Sequence, residues 1–132
     1  YLEFVAKIKG VEEYDSLART VGVRDVLGSK IETLSRGYKQ RVGLIAAMMG
    51  EPDLLILDEP TSGLDPIEQG KIREVIKKFS KKNSVIFSTH ILSEVEDIAS
   101  RIIILNKGKI VFDGKKPKGK GSVEKLFKRV VK

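Results

Sequence analysis

The sequence has 132 residues, 41% apolar and 33% charged, which suits one modest core, and it has no cysteine, which excludes disulfides and thiolate metal sites. No apolar run approaches the ~20 residues of a membrane-spanning helix, and no charged stretch followed by an apolar signal core opens the chain. The net charge of +7 resides in residues 115–132, where eight Lys or Arg face Glu124 alone; residues 1–114 balance at 17 basic against 17 acidic, so nothing in them steers the chain toward nucleic acid.

Residues 2 to 21 read as helical. Leu2, Val5 and Ile8 lie three apart, Tyr14, Leu17, Ala18 and Val21 follow the spacing of one helix face, and Gly22 is placed to stop it. A polar, turn-rich stretch from Arg24 to Thr33 leads to Leu34 and Ser35. Ser35 suits the N-cap of a helix running through Val42, Ile45, Ala46 and Met49, which Gly50, Pro52 and Asp53 close. The apolar run Leu54-Leu55-Ile56-Leu57 predicts a short strand buried on both faces of a parallel sheet.

Asp65 can cap the following helix, with Pro66 at its first position, Glu68 completing a capping box, and Ile72, Val75, Ile76 and Phe79 as its buried stripe. Val85 to Thr89 is a second strand, Ser93 with Glu96 forms another capping box for a short helix, and Ile102 to Leu105 is a third strand. This alternation implies an α/β parallel sheet. Asn106-Lys107-Gly108 is a turn, and Ile110-Val111-Phe112 returns as a hairpin strand. After Gly114 the Lys, Gly and Pro content reads as a solvated, partly disordered tail, although Val123, Leu126, Phe127 and Val130 are spaced for a last helix.

An acidic pair, Asp58-Glu59, ends the first strand, where open parallel sheets place their ligands. Asp58 suits Mg²⁺, a hard cation that prefers oxygen, and Glu59 suits the polarisation of a water for attack on phosphorus. Taken alone, the pair reads as capping the strand and opening the turn into Pro60. Ser35 and the amides after it lie at a helix N-terminus, where free N–H groups favour a phosphate; the plain helix-cap role is compatible with that. His90, taken alone, reads as a surface or strand-end histidine satisfied by local hydrogen bonds.

The surrounding run, from Leu54 through Asp58-Glu59-Pro60-Thr61-Ser62-Gly63-Leu64-Asp65-Pro66, resembles the Walker B and D-loop pattern of ATP-binding-cassette (ABC) proteins at nearly every position. About twenty residues upstream, Leu34-Ser35-Arg36-Gly37-Tyr38, followed by Lys39-Gln40-Arg41-Val42, resembles the family's signature motif, and Ser88-Thr89-His90 resembles its switch histidine. The resemblance covers residues 1 to about 114. It implies a P-loop NTPase (RecA-like) α/β parallel sheet with a helical subdomain: residues 1–50 form that subdomain and the signature helix, residues 51–114 the Walker B to switch-histidine core, and residues 115–132 a basic extension. It also implies roles. Asp58 would bind Mg²⁺ through water, and Glu59 would be the catalytic carboxylate. His90 would contact the γ-phosphate, Asp65 would lie in the D-loop at a dimer interface, and Ser35, Arg36 and Gly37 would face ATP held by a second subunit.

Two positions depart from the commonest signature, Leu-Ser-Gly-Gly-Gln: Arg36 replaces the first glycine and Tyr38 the glutamine. Such variants, with the following His-Ile-Leu-Ser-Glu-Val-Glu, resemble a subgroup of ABC exporters. The family's phosphate-cradling P-loop, Gly-x-x-x-x-Gly-Lys followed by Ser or Thr, is not found. The Gly-Lys pairs at Gly70, Gly108, Gly114 and Gly119 are followed by Ile72, Ile110, Lys116 and Gly121. Gln40 and Gln69 lie in the signature helix and after the D-loop, so neither suits the Q-loop. With Tyr1 first, the chain is expected to be the C-terminal part of a nucleotide-binding domain whose N-terminal P-loop portion is missing.

The resemblance implies an ATP-binding and ATP-hydrolysing transporter subunit. Its expected partners are a transmembrane permease subunit and a second cassette, with no nucleic acid, and its expected place is cytoplasmic, on the inner face of the cell membrane. Two other readings remain open: a non-transport ABC ATPase of DNA repair or translation, and a non-catalytic binding fragment whose basic tail touches anionic lipid or nucleic acid.

Overall fold

The helices at the start of the chain follow the apolar spacing of the sequence, but not as one run. In the computed structural model, which describes residues 1–131, helix α1 spans Leu2–Lys9 and α2 spans Asp15–Val21. The helix expected over residues 2 to 21 is thus broken. Gly10 takes φ 65°, and the N–H groups of Gly10 and Val11 close α1 on the carbonyls of Lys7 (3.4 Å) and Ala6 (2.9 Å). A left-handed residue costs glycine little, so the apolar phase resumes after the break and hides it. Gly22, φ 74°, ends α2 as expected.

Helix α3 runs Arg36–Met48, and the Ser35 hydroxyl accepts the Tyr38 N–H at 3.3 Å, as its capping role requires. Its other end is held from afar: the Lys9 ammonium donates to the carbonyls of Ala46 (2.9 Å), Ala47 (3.3 Å) and Met49 (3.1 Å). A cation there satisfies orphan carbonyls and meets the negative end of the helix dipole.

Strand β1, Leu54–Asp58, pairs in parallel with β2, Ser84–Ser88, Leu54 opposite Ser84 and Asp58 opposite Ser88; helix α4, Pro66–Phe79, is the crossover. The strand was expected to be buried on both faces, and it is not. Leu55 is 3% exposed, whereas Leu54 is 47% and Ile56 68% exposed. The pleat turns alternate residues to opposite faces, and the core lies on one of them. At the head of α4, Asp65 Oδ1 accepts the N–H groups of Ile67 and Glu68, both at 2.9 Å. The capping box is not completed, because Glu68 turns its carboxylate to Arg41 at 3.2 Å. Asp65→Ala is expected to cost about 1 kcal/mol, read as a lower urea midpoint at unchanged m-value.

These elements form one compact unit, Tyr1–Ser88, and a second unit begins at Thr89. In the second, α5 spans Leu92–Ile98, β3 Arg101–Asn106, β4 Lys109–Lys115 and α6 Ser122–Val130. The third strand was expected in the parallel sheet. Instead, among the described residues, β3 pairs with β4 alone, antiparallel, through the turn at Lys107 (φ 48°) and Gly108 (φ 75°). Two successive left-handed residues match the twist of a tight hairpin, which local pairing then completes.

Ser93 does not cap α5, which already begins at Leu92 and has no side-chain cap. Its expected partner, Glu96, acts elsewhere: the carboxylate accepts the Val123 N–H at 3.2 Å in the first turn of α6, and the carbonyl accepts from the Lys116 ammonium. The tail is therefore folded, not loose. Val123 (1% exposed) and Leu126 (6%) pack with Ile102 and Ile104 of β3 in one cluster, and burial of that apolar face outweighs the tail's polar composition. Lys132, the last residue of the expected extension, lies outside the described residues. On the outer face of α6, the hydrogen bond and charge of Lys128 hold the Glu124 carboxyl below the usual glutamate range. That pair's contribution is present above the ordinary glutamate pKa and is lost as pH falls through the lowered folded value.

Candidate active site

Asp58 is the last residue of β1, and the parallel register sets Ser88 beside it. The Ser88 hydroxyl donates its proton to Asp58 Oδ1 and accepts the Glu59 N–H at 3.2 Å; the same N–H also reaches the Ser88 carbonyl at 3.1 Å. One serine thereby joins both acids at the end of the sheet. Sequence reasoning named Ser88 only in the run that leads to His90, not as a partner of the two acids. Its signal was the pairing of two strands that both end in polar residues, which only a known register turns into a contact.

Glu59 takes φ 46°, a left-handed conformation uncommon outside glycine. Its two hydrogen-bonded neighbours hold it there: its N–H is tied to Ser88, and its carbonyl accepts the Ser62 N–H at 3.1 Å in the turn that follows. Non-glycine residues so held cost roughly 1–3 kcal/mol and concentrate at functional sites. The turn lifts Glu59, half-buried, off the strand axis that carries Asp58.

The ends of α3 and α4 are packed together. Arg41, 5% exposed, donates to the Gly37 carbonyl (3.3 Å), the Gly22 carbonyl (3.1 Å) and Glu68 Oε1 (3.2 Å), and its guanidinium lies 4.3 Å from the centre of the Tyr38 ring. A side chain on Gly37 would collide with the Glu68 carboxylate. Gly63, φ 71°, sits under the Arg36 guanidinium so closely that a Cβ there would also collide. Arg36 thus packs against the turn at Gly63 that precedes α4.

The first unit therefore brings together Asp58, Glu59 and Ser88 in one cluster, and Ser35, Arg36, Gly37 and Asp65 at two adjoining helix ends. Asp65 Oδ1 is engaged in capping α4, and Ser35 Oγ in capping α3. His90 belongs to the second unit and is exposed. A cavity of about 170 Å³ lies alongside Asp58, lined by Lys39, Gln40 and Leu44 of α3 and Ile72 of α4. That is below the ~300–1,000 Å³ of small-molecule pockets.

Among the described residues no three His, Asp or Glu side chains gather as a metal cage. Asp58 and the adjoining Ser88 hydroxyl are nonetheless a hard oxygen donor set, and Mg²⁺ is commonly held by one or two carboxylates while water and substrate phosphate complete its shell. The residues present fit that ion.

Residues 6–62 match the family model described as "ABC transporter". The fold is that of an ABC ATPase. A solved ATP binding subunit of an ABC transporter superimposes with a TM-score of 0.75 at 29% identity, covering 98% of this chain and 55% of that one. Among curated relatives, the uncharacterized ABC transporter ATP-binding protein YhcH of Bacillus subtilis is 42% identical over 83% of this chain and 37% of its own length. The lantibiotic transport ATP-binding protein SrtF of Streptococcus pyogenes is 38% identical over 96% of this chain and 56% of its own length. The family match lies in residues 6–62, and the chain spans between about a third and just over half the length of these relatives. In this ABC ATPase fold the acids at the end of β1 occupy the crevice end of a parallel pair, the position that open α/β sheets use for ligands.

Proposed function

We propose that the chain is the C-terminal part of the nucleotide-binding domain of an ABC transporter, in a protein that couples ATP hydrolysis to transport across a membrane. One observation carries this reading: Glu59, in a left-handed turn, is tethered through Ser88 to Asp58 at the end of a parallel strand. Asp58 would hold Mg²⁺ through water, with Ser88 fixing its carboxylate. The ion, when bound, would neutralise charge on the phosphate oxygens. Glu59 takes a proton from the attacking water, and His90 donates a hydrogen bond to the γ-phosphate. Ser35, Arg36, Gly37 and Asp65 face the ATP and the D-loop of a second cassette, where the N-terminus of α3 favours phosphate.

The phosphate-cradling loop and the Q-loop glutamine then belong to residues outside this chain, and the chain alone hydrolyses no ATP. The permease docks on the helical region before Ser35, where Tyr1, Phe4 and Ile8 are each more than 60% exposed along one side of α1; an exposed apolar stripe of this kind favours a protein partner. The variant signature supports placement among exporters, and the domain works at the inner face of the cell membrane. Among the described residues no helix is long and apolar enough to cross it.

Two measurements test the reading. The longer protein should hydrolyse ATP only with Mg²⁺ and should purify with an integral membrane protein; purification with ribosomes or DNA instead would overturn the transport assignment. The 132-residue chain should show no turnover, and Mg²⁺-dependent turnover that Glu59→Gln removes would overturn its inactivity.

A further inference from the structure

Among the described residues Glu94 is the one buried carboxylate, 0% exposed. A carboxylate is costly to bury unless its oxygens are satisfied. Glu94 Oε2 accepts the Thr89 hydroxyl proton at 2.8 Å, and the Thr89 oxygen accepts the Ile91 N–H at 3.0 Å. A hydroxyl has one proton to give. Committing it to Glu94 turns the oxygen's lone pairs toward Ile91.

The two bonds bracket His90, one on the residue before it and one on the residue after. The Glu94 N–H closes the ring on the Ile91 carbonyl at 3.0 Å, so the bracket is anchored in the first turn of α5. His90 itself remains exposed. We propose that Glu94 is a positioning residue for His90, acting through the hydroxyl of Thr89. This rests on the reading of His90 as the γ-phosphate contact. Its physical purpose is to order the backbone of an exposed imidazole beforehand, so that meeting an anion costs less conformational entropy.

His90 is the chain's single histidine, so its ring protons give an unambiguous NMR signal. Thr89→Val removes the hydroxyl with little change in volume, and Thr89→Ala gives the same reading should valine disturb packing. Either should shift the His90 ring signal and speed exchange of the Ile91 amide about tenfold, the loss of one hydrogen bond. Thr89→Ser keeps the hydroxyl and Glu94→Gln keeps an acceptor, so both should stay within about twofold of the parent exchange rate. Parent-like signals in both the valine and alanine variants would overturn the proposal.

In the longer protein, Thr89→Val should lower kcat about tenfold at nearly constant KM for ATP, with Thr89→Ser restoring it. An unchanged kcat would overturn the positioning role. Full hydrolysis by His90→Ala would overturn the reading of His90 instead, and the exchange and ring signals would still decide the bracket.

Discussion

Arg41→Met should lower the unfolding free energy of the chain by about 3 kcal/mol, the effect of removing one partner from a buried ion pair. The Arg41 side chain is 6% exposed and that of Glu68 22%, so the carboxylate left behind is only partly able to recover water. The Gly22 carbonyl also loses its donor, and with it the link between the end of α2 and the body of α3. Arg41→Lys should recover little, because an ammonium cannot reach three acceptors in different directions as a planar guanidinium does. Arg41→Met combined with Glu68→Leu should recover more than half of the loss, since an apolar pair leaves no stranded charge. Urea unfolding at constant m-value checks all three. A loss below about 0.5 kcal/mol for Arg41→Met would mean that these contacts do not hold the helix ends together.

In the proposed complete nucleotide-binding domain, Glu59→Gln should reduce kcat by about 10²–10⁴-fold, the range of general-base catalysis, while ATP affinity changes little. The amide keeps the size of the side chain and its acceptor oxygen but cannot take a proton from water. The backbone turn at φ 46° should persist, because Ser88 holds the Glu59 N–H and not its carboxylate. Steady-state hydrolysis together with nucleotide binding separates the two effects. A rate within a few-fold of the parent would move the base elsewhere, and a lost affinity would make Glu59 a binding group instead.

The helix ends were legible wherever the deciding residue acts within its own turn. Ser35, Asp65 and Gly22 were each placed correctly because a hydroxyl, a carboxylate or a left-handed glycine works over three or four residues. Gly10 was missed because the apolar spacing resumes after it. The roles of Lys9 and Glu96 were missed because each serves a helix far along the chain, and nothing in a local window points there. The order of strands failed for the same reason: periodicity assigns a strand but not its neighbour, so β3 was read into the parallel sheet although its partner is β4.

The acid pair, the signature-like turn and the histidine were visible because each lies in a short run whose residue types are read within a few consecutive positions. Sequence alone therefore determined the family resemblance, the element types and the identity of the acid pair. Tertiary structure decided what supports them: Ser88 across the sheet from Asp58, Arg41 across three helices, Arg36 against Gly63, and the tail as a helix on β3. Each of these depends on two segments meeting at one distance and angle, and packing sets that distance while local propensity does not.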